Sequence, residues 1–144
     1  MIHLEPVDPG NWRLGLKVSE EQKNFVSYDM RILARAYAFR QYRSQAFIIY
    51  HGDTPVGMAM YYDWDAGRAY DFSQFFIDQR YQGKGYGIEA ARLVLDRMRQ
   101  DGKYQKVVLC FIEGNETARR MYEKLGFHLT GERDENEIIM EMSL

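Results

Sequence analysis

The stretch that decides the reading is Gln82-Gly83-Lys84-Gly85-Tyr86-Gly87, which joins an apolar, strand-like run from Phe72 to Ile77 to a helix-like run beginning near Ile88. A strand, a glycine-rich turn and a helix in that order make an anion cradle. Glycines let the backbone take positive φ and approach a ligand, while the unpaired amides of the first helical turn point toward it. The helix dipole adds roughly half a positive charge at that end, so a phosphate or pyrophosphate is the natural guest. Spacing removes two common guests. A dinucleotide fingerprint, G-x-G-x-x-G, would need glycine at Ile88 or Ala90, and no G-x-x-x-x-G-K followed by Ser or Thr exists for a P-loop.

The rest of the composition narrows the class. At 144 residues the chain has the length of one ordinary domain, expected to run over 1–144, and 46% hydrophobic with 15% aromatic residues argues against disorder. No apolar run reaches membrane-spanning length and no leader-like segment opens the chain, so a soluble protein of the cytoplasm is expected, with no membrane partner. The single Cys110 excludes an internal disulfide; it lies in the most apolar run and reads as a buried structural thiol. A net charge of -2 gives no sign of nucleic-acid binding but is compatible with a cationic small substrate. His3, His51 and His128 are scattered away from Cys110, so no metal site is expected.

Periodicity sets out the elements. Strands are expected at Ile2–Val7, Ala46–Tyr50, Val56–Tyr62, Arg68–Ile77, Lys106–Ile112, Phe127–Thr130 and Ile138–Met142, the fifth buried on both faces. Helical periodicity dominates from Asn11 to Tyr42 in at least two pieces, with Ser19 as a plausible N-cap. Further helices are expected at Tyr86–Arg99, ended by Gly102, and at Asn115–Lys124, capped by Asn115 and ended by Gly126. Arg31, Arg35, Arg40 and Arg43 form a basic series that reads as a solvated face.

Within this frame Gln82, Gly85 and Gly87 fit Q-x-x-G-x-G, which resembles the acyl-CoA pyrophosphate loop of the GNAT N-acetyltransferase superfamily. A second motif stands downstream. Asn115, Ala118, Tyr122, Gly126 and Phe127 match the N-x-x-A-x-x-x-Y-x-x-x-G-F that follows the central buried strand of these enzymes. The resemblance implies an α/β (α+β) fold: a mixed, mostly antiparallel, splayed sheet of about six to seven strands flanked by helices. It implies acetyl-CoA as cosubstrate, no metal, and direct acetyl transfer to a primary amine. It further implies that the amides of Gln82, Gly83, Lys84, Gly85, Tyr86 and Gly87 hold the pyrophosphate, with Asn115 also on the cofactor side. The strand ending at Phe76 and Ile77 would pair with the pantetheine, and Tyr122 would protonate the departing thiolate. As a residue on an amphipathic helix, Tyr122 also reads as a packing aromatic.

Asp71 stands eleven residues before Gln82, the offset at which the histone acetyltransferase branch of the superfamily carries a general base acting through water. It is also expected to share a strand face with Ser73 and Phe75. A solvated partner of Arg68 and a site with no single base are the other readings. Gly57 to Tyr61, Phe76 to Gly87 and Gly131-Glu132 resemble bacterial diamine and spermine/spermidine acetyltransferases, which commonly carry Asp-Arg where this chain has Ser73-Gln74. A polyamine or diamine acceptor would be held by Glu20, Glu21, Tyr61, Asp63 and Asp71, with Tyr62, Trp64 and Asp65 beside them. The turn at Asp63 to Gly67 reads equally as a polar connection between packed strands. A protein, peptide or other small amine, a non-catalytic acyl-CoA-binding module and an unrelated nucleotide binder stay open. So does a homodimer.

Overall fold

The computed structural model describes residues 1–144, whose seven strands form one sheet in the order β1-β2-β3-β4-β5-β7-β6. Along the chain the elements are β1 (Ile2–Pro6), α1 (Asp29–Ala38), β2 (Gln45–His51), β3 (Thr54–Trp64), β4 (Ala69–Ile77), α2 (Tyr86–Asp101), β5 (Lys106–Ile112), α3 (Glu116–Leu125), β6 (His128–Asp134) and β7 (Glu137–Ser143). Only β4 and β5 run parallel, and α2 supplies the crossover that a parallel pair requires. Alternation in β2 and β3 divides the core in two. Phe47, Ile49, Ala59 and Tyr61 pack with Ala91, Val94, Leu95 and Met98 of α2, whereas Ile48, Met58, Met60 and Tyr62 pack with Ile32 of α1. The expected mixed sheet with helices on both faces is thus the one found.

The sheet splays at its centre. β4 and β5 pair only at Tyr70–Val107 and Asp71–Val108, and beyond those residues the strands diverge. Each is held on its far side, β4 by β3 and β5 by β7, so the gap between them stays open. This corrects the reading of β5 as buried on both faces. Val107, Leu109 and Phe111 are in the core, but Cys110 is exposed and lines the open space beside β4.

A bulge in β4 corrects a second expectation. Pairing with β3 steps from Tyr62–Asp71 to Met60–Gln74, so an extra residue of β4 is accommodated there and the faces change over. Phe75 therefore meets Phe72 edge-to-face at 5.6 Å on the α2 side. Asp71 and Ser73 face α1 instead, bonded to the Tyr62 hydroxyl at 3.0 Å and to Arg35 Nε at 2.8 Å. Arg68 makes no ion pair with Asp71.

The segment before α1 is mostly not helical. Leu16 and Val18, two residues apart, both insert into the α1-side core, the spacing of an extended chain. Only Glu20–Gln22 forms a turn of 3-10 helix, and the Ser19 side chain makes no capping bond. Asp78 at the end of β4 anchors this segment: its buried carboxylate accepts from the Lys17 amide at 2.9 Å and from Arg80 Nε at 2.9 Å. Burial alone would raise the Asp78 pKa, yet the bonds from Arg80 and Lys17 outweigh it and hold the group below its ordinary value.

The basic series is not a simple solvated face either. Arg43 bridges Asp63, through Nε at 2.6 Å, and Asp101, through Nη2 at 2.9 Å, while Lys103 Nζ reaches Asp63 at 2.8 Å. Asp63 is only 2% exposed, so both cations serve to neutralise a carboxylate taken out of water. Asp63→Asn is expected to cost about 2 kcal/mol of stability, the loss of charge-assisted bonds, read as a lower denaturation midpoint at unchanged m-value.

Candidate active site

Where β4 and β5 part, a cleft of about 490 Å³ runs between them, within the usual range for small-molecule sites. One end is the glycine loop. Gly85 takes φ +82° as N-cap of α2, and Gly83 takes +78°. A Cβ at either would meet nothing within 4 Å, so glycine is required there by dihedral angle and not by crowding. The first backbone bond of α2 runs from the Glu89 amide to the Gly85 carbonyl at 3.4 Å, leaving the amides of Gly83 to Ile88 with no protein acceptor. Unpaired amide donors at a helix N-terminus, those of Gly83, Gly85, Tyr86 and Gly87 on residues that line the cleft, fit a pyrophosphate. The edge of β4 from Phe72 to Ile77 that faces β5 has no partner strand, which fits an extended, amide-bearing arm laid along it. An acyl-CoA has both parts, and the residues present suit it.

Gln82 holds the cradle in place. Its Nε2 donates to the Ile77 carbonyl at 2.8 Å, and its amide exchanges two bonds of 2.9 Å with Gln22. The loop is thereby tied both to the end of β4 and to the 3-10 turn before α1. Lys84 is exposed and does not line the cleft.

On the opposite wall Asn115 caps α3, its Oδ1 accepting from the Ala118 amide at 3.4 Å, and Tyr122 follows two turns on. Ala118, Met121 and Tyr122 all line the cleft. The Tyr122 ring meets Phe127 at 5.7 Å and is 9% exposed, and its hydroxyl bonds no protein group. Burial pushes the phenol up to about 12, so it is protonated throughout the neutral range.

A second chamber of about 760 Å³ opens from the first, sharing Phe25, Ser27, Ser73, Gln74, Cys110 and Phe111 with it. Its sheet wall carries Asp71 and Glu137; its helix wall carries Arg31 and Arg35. Burial raises the Asp71 pKa, against the lowering effect of the Tyr62 hydroxyl and of Arg35, and Glu137 adds to the rise. Cys110 sits at the junction: the residue opens onto the gap, yet enough protein surrounds its thiol that partial desolvation, with Asp71 and Glu137 nearby, lifts it to about 11.

Of the residues singled out in the sequence, Phe76, Ile77, Gln82, Gly83, Gly85, Tyr86, Gly87, Asn115 and Tyr122 line the cleft, and Asp71 lines the chamber. Others lie elsewhere. Asp63 is occupied by Arg43 and Lys103, Asp65 by Lys103 and Tyr104, and Tyr61 packs in the α2-side core against Tyr70 at 5.9 Å. Glu20 is paired to Lys23 at 2.7 Å, and neither Glu20 nor Glu21 lines either space. The Tyr61–Asp65 turn and Glu20–Glu21 are therefore not brought together around either space. Glu137, Gln22 and the outward face of Cys110 carry no signal in local spacing. Glu137 is recognisable only from the register that sets it opposite Ile112, and Gln22 only from its long-range partner.

Comparison with known proteins points to one family. The model of the acetyltransferase (GNAT) family matches residues 13–127, which span both motifs. The spermine/spermidine N(1)-acetyltransferase of Bacillus subtilis is 35% identical over 130 residues, covering 85% of this chain and 84% of that protein. The crystal structure of spermidine N-acetyltransferase from Vibrio cholerae in complex with CoA and spermine is similar with a TM-score of 0.80 at 18% identity, over 99% of this chain and 95% of that one. A GNAT family acetyltransferase from Elizabethkingia anophelis with acetyl-CoA bound gives a TM-score of 0.75 at 15% identity, over 99% and 98% of the two chains. With the glycine cradle, the parted strands and the Asn115–Phe127 motif in the same fold, this chain belongs to the GNAT acetyltransferase family.

Proposed function

We propose that the protein transfers an acetyl group from acetyl-CoA directly to a primary amine, with a diamine or polyamine as acceptor. The observation that carries this reading is the meeting of the two spaces at Ser73, Gln74, Cys110 and Phe111, with a protonated phenol on the cleft side and a carboxylate of raised pKa on the chamber side. Acetyl-CoA, when bound, supplies a thioester whose carbonyl carbon is open to an amine. The amides of Gly83 to Ile88 bind its pyrophosphate, and the free edge of β4 orients the arm toward the junction. Asp71, as the carboxylate, takes the proton of the incoming ammonium directly or through water. Tyr122 donates its hydroxyl hydrogen toward the departing sulfur.

The polyamine part rests on the 35% identical relative and on the two carboxylates of the sheet wall. Asp71 would receive the reacting nitrogen and Glu137, exposed at the start of β7, a second one. Glu137→Gln is expected to raise KM for spermidine about tenfold, with little change in kcat and a flatter fall of kcat/KM with added salt. An unchanged KM would take Glu137 out of the acceptor site.

Gly85→Asp tests the donor side. A side chain at φ +82° is strained, and its carboxylate would face the pyrophosphate, so acetyl-CoA affinity is expected to fall about tenfold to a hundredfold in calorimetry. Full affinity in a folded Gly85→Asp variant would remove the loop from the site.

A further inference from the structure

The acceptor chamber has two walls of opposite sign. Asp71 and Glu137 stand on the sheet side; Arg31 and Arg35, four residues apart on one face of α1, stand opposite. Neither guanidinium has a carboxylate within ion-pair distance, and these two are the arginines that line the chamber. Arg35 is held rigidly. Its Nε donates to Ser73 Oγ at 2.8 Å and its guanidinium lies 4.8 Å from the Phe39 ring centre and 6.0 Å from that of Tyr62, with no carboxylate paired to it. Arg31 is exposed and rests only against Tyr28, at 5.8 Å. Two forked donors, one fixed by stacking and one free to reach, form the geometry that captures a carboxylate through paired bonds. A polycation gains nothing from that wall.

We propose that the chamber takes a second class of acceptor, a short amino carboxylate, with its amine at Asp71 and its carboxylate on Arg31 and Arg35. The inference rests on the N-acetyltransferase reading above. Ser73, which anchors Arg35, is two residues from Asp71, about 7 Å along β4 on the same face, so the two subsites are neighbours in one chamber. That span suits an amine and a carboxylate separated by a few methylenes. In the transfer, the amine nitrogen forms a bond to the acetyl carbon as the carbon–sulfur bond breaks. The amine gives up one proton, the sulfur gains one, and the products are an N-acetylated amino acid and free CoA. No oxidant, reductant or metal enters.

The test compares γ-aminobutyrate with putrescine, which share a primary amine and nearly the same chain and differ in the group at the far end. Wild-type protein is expected to acetylate both. The ratio of kcat/KM for γ-aminobutyrate over putrescine is expected to fall about tenfold to a hundredfold in Arg31→Gln and further in Arg31→Glu. Calorimetric titration of γ-aminobutyrate into the protein with CoA present reads binding without turnover, and should lose its heat in the same variants. Acetylation of putrescine but not γ-aminobutyrate, or a ratio that both variants leave unchanged, overturns the inference and leaves the acetyltransferase intact. If neither of these amines nor spermidine is acetylated, the reading beneath has failed, and the calorimetric result alone decides the carboxylate subsite: no binding by wild type, or equal binding by the variants, overturns it.

Discussion

Tyr122→Phe is expected to keep its affinity for acetyl-CoA and to lose turnover by about 10²- to 10⁴-fold, the usual contribution of a positioned general acid. The substitution removes one oxygen and leaves the ring, which packs on Phe127 and belongs to the α2-side core, where it is. Stability should therefore change little, since the hydroxyl bonds no protein group. Because burial holds the phenol near 12, the wild-type rate should show no basic limb from this group in the neutral range, and the variant's loss should be the same at every neutral pH. Stopped-flow thiol release with saturating acetyl-CoA checks it. Wild-type turnover in Tyr122→Phe would return the residue to a packing role.

Asp71→Asn is the second large effect, expected at about 10²-fold or more in kcat/KM. Burial raises the Asp71 pKa above the ordinary carboxylate value, so the acidic limb of wild-type kcat/KM should lie above that value, and the limb should flatten in the variant. Stability should move the other way. A carboxyl whose folded pKa is raised contributes stability that is present below its unfolded pKa and is lost as pH rises through the folded one. At neutral pH the ionised group is thus a cost, and Asn, which can still accept from the Tyr62 hydroxyl, removes it. The variant is expected to be slower and at least as stable as the wild type, the pattern of a group retained for function. A slower variant with an unchanged limb would make Asp71 an acceptor-binding group and not a base.

The donor half of the site was legible in the sequence because its chemistry is local. Gln82 to Gly87 is one strand-to-helix turn, and Asn115 to Phe127 is one capped helix with its exit, so spacing along the chain carries the geometry. The strands were legible for the same reason, with alternation in Val56–Tyr62 sorting side chains to two faces that became two cores. The proposed acceptor half is assembled from distant segments. Asp71, Glu137 and Arg35 belong to β4, β7 and α1, and only the splay of β4 from β5 turns the space among them into a chamber. Hydropathy could not announce the bulge that carries Phe75 to the other face. Nor could it show that Asp63, in a conspicuous run of acids and aromatics, is consumed by Arg43 and Lys103. Exposed acids and buried ion-paired acids look alike in sequence; burial separates them.

The most direct measurement is to incubate the protein with acetyl-CoA and spermidine, following free thiol by absorbance and acetylated amine by mass spectrometry in the same reaction. Thiol release that depends on the amine, equals the acetylated product mole for mole, and falls together in Tyr122→Phe and Asp71→Asn is the expected result. Binding of acetyl-CoA with no amine-dependent thiol release, across spermidine, putrescine and γ-aminobutyrate, would contradict it and leave an acyl-CoA-binding module in its place.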